Sequence, residues 1–207
     1  MALTKVRGSG LGTLGDGTAN DVKILFDGNA QDYHIGLDDS TDSLTIGLGS
    51  ALGTTAHIIS DANGHVTQPL QPSIAMDGDG TGATSFSGSD RLITEWTSFH
   101  TTGISYNSSN GRFTVPTAGK YLITVHIYLY QNDVFQRLHI LDNDSTFVHS
   151  SADYNNSDAD IGQDNTLSCT VIRDLSANDY ITFTLLDGGG RYLMLAAHSH
   201  MSMHKLS

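Results

Sequence analysis

The sequence predicts an all-β protein, and three observations carry that prediction. Aspartate outnumbers glutamate by 21 to one, Glu95 being the only glutamate. Asp bonds to nearby backbone and so favours turns and caps, whereas Glu favours helix interiors. Twenty-two glycines and abundant Ser, Thr and Asn add to the turn-forming stock. The apolar stretches alternate with a period of two, the spacing that puts one face of a strand in a core.

Residues 1–20, MALTKVRGSGLGTLGDGTAN, are Gly-rich and lack any periodicity. Gly10-Leu-Gly12-Thr-Leu-Gly15 matches G-x-G-x-x-G, but neither the strand nor the helix of a phosphate-binding turn flanks it. A segment without a core of its own orders by docking, and small residues permit close backbone approach. Lys5, Arg7, Gly8, Gly10 and Gly12 are therefore expected to attach the chain to a partner.

Residues 21–67 hold an eleven-residue repeat. Val22, Tyr33, Leu44 and Thr55 share one register; Ile24, Ile35, Ile46 and His57 the next; Phe26, Leu37, Leu48 and Ile59 the third. Each unit reads as a five-residue strand and a turn. Four such strands expose an apolar face that so short a segment cannot cover alone. Three copies around one axis would cover it, and the pattern resembles the β-rich shafts and adaptors of bacteriophage fibres. An ordinary β-meander packed on the rest of the chain is the alternative.

Gln68-Pro-Leu-Gln-Pro72 is a stiff spacer and the expected domain boundary, so residues 73–207 form the second domain. Strands are expected at Ser73–Met76, Leu92–Phe99, Phe135–Asp142, Thr166–Ile172, Tyr180–Leu185 and Leu193–Leu206. Asp142-Asn143-Asp144 reads as a hairpin turn, and 150–165 as a long polar loop. Asp77-Gly-Asp79-Gly-Thr81-Gly82 looks like the head of a calcium loop, yet Gly88 stands where an EF-hand needs glutamate. It is read as a surface loop, with a weak calcium site as the lesser alternative.

The centre of this domain is YNSSNGRFTVPTAGKYLITVHIYLY, Tyr106–Tyr130. Tyr121, Ile123, Val125, Ile127 and Leu129 fall on one face of a long strand. Leu122, Thr124, His126, Tyr128 and Tyr130 fall on the other, which is aromatic and polar without formal charge. Such a face suits contact with another subunit. Tyr106, Gly111, Phe113, Pro116, Gly119 and Tyr121 resemble the central motif of C1q-like and tumour necrosis factor-like jelly-roll domains. Leu175 to Ile181 resembles that family's Leu-x-x-Gly-Asp-x-Val turn, with Asn178 for the glycine. The resemblance implies a homotrimer meeting around a three-fold axis. The family's C-terminal Phe-x-Gly stands here as Met201-Ser202-Met203, which departs from its trimer core.

Composition narrows the partners. The formal net charge of −12 disfavours nucleic acid and anionic membrane. No apolar run is long enough to span a bilayer, and no signal peptide opens the sequence. The single cysteine, Cys169, excludes an internal disulfide framework and reads as a small core residue.

No G-x-S-x-G elbow, HExxH or P-loop occurs, so catalysis is not expected. His198, His200 and His204 share one strand face. On a trimer axis two such rings would supply six imidazoles, a set suited to an octahedral transition metal. Packed or solvated histidines are the plainer reading. The whole is expected to be a trimeric bacteriophage fibre or spike, assembled in the host cytoplasm and carried on the virion. Its receptor contacts would lie at Asp153, Tyr154, Asn155, Asn156, Asp158 and Asp160, which suit a host glycan or protein. A capsid-decoration or head-fibre protein, or a non-phage C1q-like binding module, are the alternatives.

Overall fold

A computed structural model describes residues 14–15, 17–80, 83–86, 91–130, 136–152, 164–187, 192–195 and 198–207. The chain divides into two compact units, Met1–Leu70 and Gln71–Ser207. Among the described residues no helix is long and apolar enough to cross a membrane.

The N-terminal unit is an antiparallel sheet in simple order: β1 (Val22–Phe26), β2 (Tyr33–Asp38), β3 (Ser43–Leu48), β4 (Ala56–Ser60) and β5 (Val66–Thr67). The first four strands start within a residue of the eleven-residue spacing, and β5 starts at Val66, eleven residues after Thr55. Ile24, Ile35, Ile46 and Ile58 lie side by side across the sheet, in register from β1 to β4. Their face is open. The covered face is small and polar: His34, Asp38, Ser43 and Thr45 are buried, with Gly36 and Gly47 between them. The His34 ring leaves no room for a side chain at position 47, where an added Cβ would come within 2.8 Å of its Nε2. Its Nδ1 lies 2.9 Å from the Gly49 carbonyl oxygen. Leu52 and Ala56, from the loop and strand that follow β3, are buried as well.

The C-terminal unit is a sandwich of two antiparallel sheets. One contains β6 (Ser73–Gly78), β7 (Ala83–Phe86), β9 (Trp96–Thr102), β12 (Gly119–Tyr130), β15 (Asp164–Leu175), β17 (Tyr192–Leu195) and β18 (His200–Lys205). The other contains β8 (Arg91–Leu92), β10 (Ser105–Asn107), β11 (Arg112–Thr114), β13 (Gln136–Asp142), β14 (Ser145–Ala152) and β16 (Tyr180–Asp187). The core lies between them. Tyr121, Ile123, Val125 and Ile127 of β12 are fully buried, as are Phe113, Leu138, Ile140, Ile181 and Phe183 opposite. Phe183 meets Trp96 and Phe113 edge-on, at centroid distances of 6.2 and 5.6 Å. Cys169 packs against this core, and burial pushes its thiol pKa up.

The central motif has a physical role at each position. Tyr106 stacks on Phe113 at 4.6 Å and donates its hydroxyl to the Thr94 carbonyl at 2.6 Å. Burial, reinforced by Glu95 and Asp79, pushes its pKa up to about 12. Gly111 turns at φ 64°, where an added Cβ would meet the Ile93 carbonyl at 2.9 Å. Tyr121 donates to the Thr117 carbonyl at 2.7 Å. Asn178 has φ 71°, the left-handed conformation for which asparagine replaces glycine. Asn143 and Asp144 are both at positive φ and turn the β13–β14 hairpin.

Four expectations need correction. Asp77 and Gly78 are not loop but the end of β6, paired with His200 and Thr97 and with Trp96 respectively. The strand expected over 92–99 is broken at Ile93–Glu95, where Arg91 pairs with Glu95 and the Glu95 carboxylate accepts the Thr94 amide. The strand expected over 193–206 is two strands, β17 and β18. Both ends of the polar loop expected over 150–165 are strand instead, since β14 runs through Ala152 and β15 begins at Asp164.

Candidate functional site: the outer face of the long-strand sheet

Because β12 buries every second side chain, its remaining residues must face away from the core. Leu122, Thr124, His126 and Tyr128 do so and are half-exposed. Tyr130 ends the strand, paired with Asp164 and Leu193. Three rows cross this outer face. The first is Thr97–Asp77–His200–His126–Ser168, and the second His100–Ala75–Ser202–Thr124–Thr170. The third is Thr102–Ser73–His204–Leu122–Ile172. Asp77 is the only carboxylate in the three rows.

The first row carries the strongest internal contacts. His126 and His200 stack at 4.8 Å with their planes 19° apart. His126 Nδ1 lies 2.7 Å from the Ser168 hydroxyl. Burial, and then the neighbouring His200, hold the His126 pKa below its usual value. His126 is therefore disposed to stay neutral. Above it, His198 meets the Tyr128 ring edge-on at 5.1 Å, and the Tyr128 amide donates to the Ser199 hydroxyl at 3.1 Å. In the third row Ser73 lies beside His204, and its hydroxyl is 2.9 Å from His100 Nε2. Ile172, 56% exposed, and Phe99, 73% exposed, leave apolar surface on either side.

The structure thus brings His126, placed in a subunit contact by sequence, beside His200, placed in a metal set. His198, His200 and His204 are all exposed but do not converge within one chain. Among the described residues no three His, Cys, Asp or Glu side chains are grouped to hold a metal ion. Ser168 was missed by sequence reasoning, and Asp77 was placed in a calcium-like surface loop rather than on this face. Their signal was pairing across the sheet, to residues far along the chain. Asp153, Tyr154, Asn155, Asn156, Asp158 and Asp160 lie outside the described residues, as do Lys5, Arg7, Gly8, Gly10 and Gly12.

No known family profile matches the sequence, and neither does any curated protein. Solved structures do match. Eiger, a TNF from S. frugiperda, aligns with a TM-score of 0.55 at 18% identity, covering 67% of this chain and 94% of that one. Murine APRIL at pH 5.0 aligns with a TM-score of 0.48 at 13% identity, covering 66% and 99%. The Eiger alignment is close enough to show the fold. The chain contains a β-sandwich of the tumour necrosis factor-like jelly-roll type.

Proposed function

We propose that this protein is a non-catalytic binding module of the C1q-like and tumour necrosis factor-like kind, working as a homotrimer. Three copies meet through the outer face of the long-strand sheet, and the loops of each sandwich recognise a surface receptor. The observation that carries this reading is the chemistry of that face. In a chain of net charge −12, its three central rows hold one carboxylate amid histidine, hydroxyl and aliphatic side chains. Copies that carry the same charge elsewhere can meet there without stacking like charges. The jelly-roll fold supports the same arrangement through the resemblance of the central motif.

Within this reading, the eleven-residue repeat and Gly-rich 1–20 favour a bacteriophage fibre, spike or head-decoration protein attached through its N-terminal arm. The general binding module needs only the fold, and so stands first. Residues 153–160 are proposed as receptor contacts because they are polar, carry Tyr154 and join two strands of a rigid sandwich. Three identical heads would add weak contacts into useful avidity. Replacing 153–160 by Gly and Ser should leave the oligomer intact and lower adsorption to target cells at least tenfold. Unchanged adsorption with a less stable virion would favour the decoration role instead.

A further inference from the structure

The N-terminal sheet is built the opposite way round from a sheet that packs on its own chain. Alternation puts Val22, Ile24 and Phe26 of β1 on the same face as Tyr33, Ile35 and Leu37 of β2. Leu44, Ile46 and Leu48 of β3 extend that face by direct pairing, and Ile58 of β4 continues its central row. None of these ten side chains is charged, and the face is still open. Phe26 is 58% exposed and Ile46 39%, with Ile24, Tyr33, Leu37 and Leu44 between them. Those six alone leave roughly 600 Å² open, against about 800 Å² per partner in a standard interface. Isolated surface apolar residues are ordinary, but a contiguous patch of this size marks an interaction site.

We infer that this face is a contact site for a second copy of the same chain. Two features select that occupant. The patch lacks charge although the whole chain carries −12, and a foreign partner attracted by that charge would be met by carboxylates. A copy brings the same charge, so it can approach only where charge is absent. The area matches as well, since two such faces approach the total of a stable complex before any polar rim is added. The face is also laid out in rows, with an unbroken line of isoleucines whose branched side chains interlock with an identical line.

The inference does not rest on the trimeric reading of the C-terminal unit, and the test separates the two. The full chain is prepared with Cys169→Ser and Phe26→Cys, then treated at micromolar concentration with a short bismaleimide. Lys23→Cys, on the opposite face of the same strand, is the control. Covalently linked copies from Phe26→Cys, at least tenfold more than from Lys23→Cys and lost on adding Ile46→Asp, are expected. Equal linkage at both positions would overturn the inference. So would a Phe26→Cys thiol that reacts freely with a monofunctional maleimide and never links. Protection without linkage would put a segment of the same chain on the face, which also overturns it. Should Phe26→Cys fold poorly, Tyr33→Cys, on the neighbouring strand and the same face, repeats the measurement. A trimer without linkage removes this inference alone; linkage without a trimer removes the other.

Discussion

The two units use one alphabet of alternating strands to opposite ends. In the C-terminal sandwich, the apolar faces of two sheets meet and bury Tyr121, Phe113 and Phe183 completely. In the N-terminal sheet the buried face is the polar one, lined by His34, Asp38, Ser43 and Thr45, and the isoleucine row looks outward. Alternation therefore says that a strand has an apolar face. It does not say what covers that face. A sandwich supplies its own cover, and the five-stranded sheet leaves its apolar face open.

The largest expected effect lies where cover is internal. Phe183→Ala removes a ring fully enclosed by Trp96 and Phe113 and should cost the C-terminal unit about 3–5 kcal/mol, read by denaturant unfolding. Ile46→Asp, on the open face, should leave the unfolding of that same unit within about 0.5 kcal/mol. A comparable loss from both would erase the distinction between the units.

The outer face of the sandwich should respond to acid. The His126 pKa is lowered by burial and by His200, so the folded form holds this proton less well than the unfolded chain. Its contribution is present in full above the ordinary value of 6.5 and is lost as pH falls through the lowered value. Melting temperature should drop between neutral pH and about 5, and His126→Gln should flatten that part of the profile. An identical profile in the variant would mean that other groups govern the acid response.

A smaller effect is expected from the proposed axial metal. If imidazoles from three copies hold an ion, metal analysis should give near one ion per trimer. His200→Ala should then abolish it and lower the melting temperature by a few degrees. Metal-free protein that melts alike with and without the substitution would leave His198, His200 and His204 as surface residues.

How much of this was legible in the sequence depends on how local each feature is. The buried face of β12 could be read directly, because Tyr121, Ile123, Val125 and Ile127 announce it by spacing alone. The positive φ of Asn178 and the Asn143–Asp144 turn were readable because they depend on residue type. The break at Ile93–Glu95 was not. It follows from the Ile93 amide reaching the Phe183 carbonyl at 2.9 Å, a contact that pattern does not reveal. Asp77 was misread because Asp-Gly is turn chemistry in isolation, and here pairing with β9 and β18 overrides it. The stacking of His126 on His200 needed a register between strands about seventy residues apart, which alternation does not set.

The most direct test is the mass of the intact protein in solution. Sedimentation equilibrium of the full chain at micromolar concentration should give three times 22.1 kDa, and Tyr128→Asp should lower it to one. Three carboxylates brought together near one axis cannot all stay ionised without a large cost, so the substitution should dissociate the assembly. A wild-type chain that sediments as a monodisperse monomer would contradict the trimeric binding module.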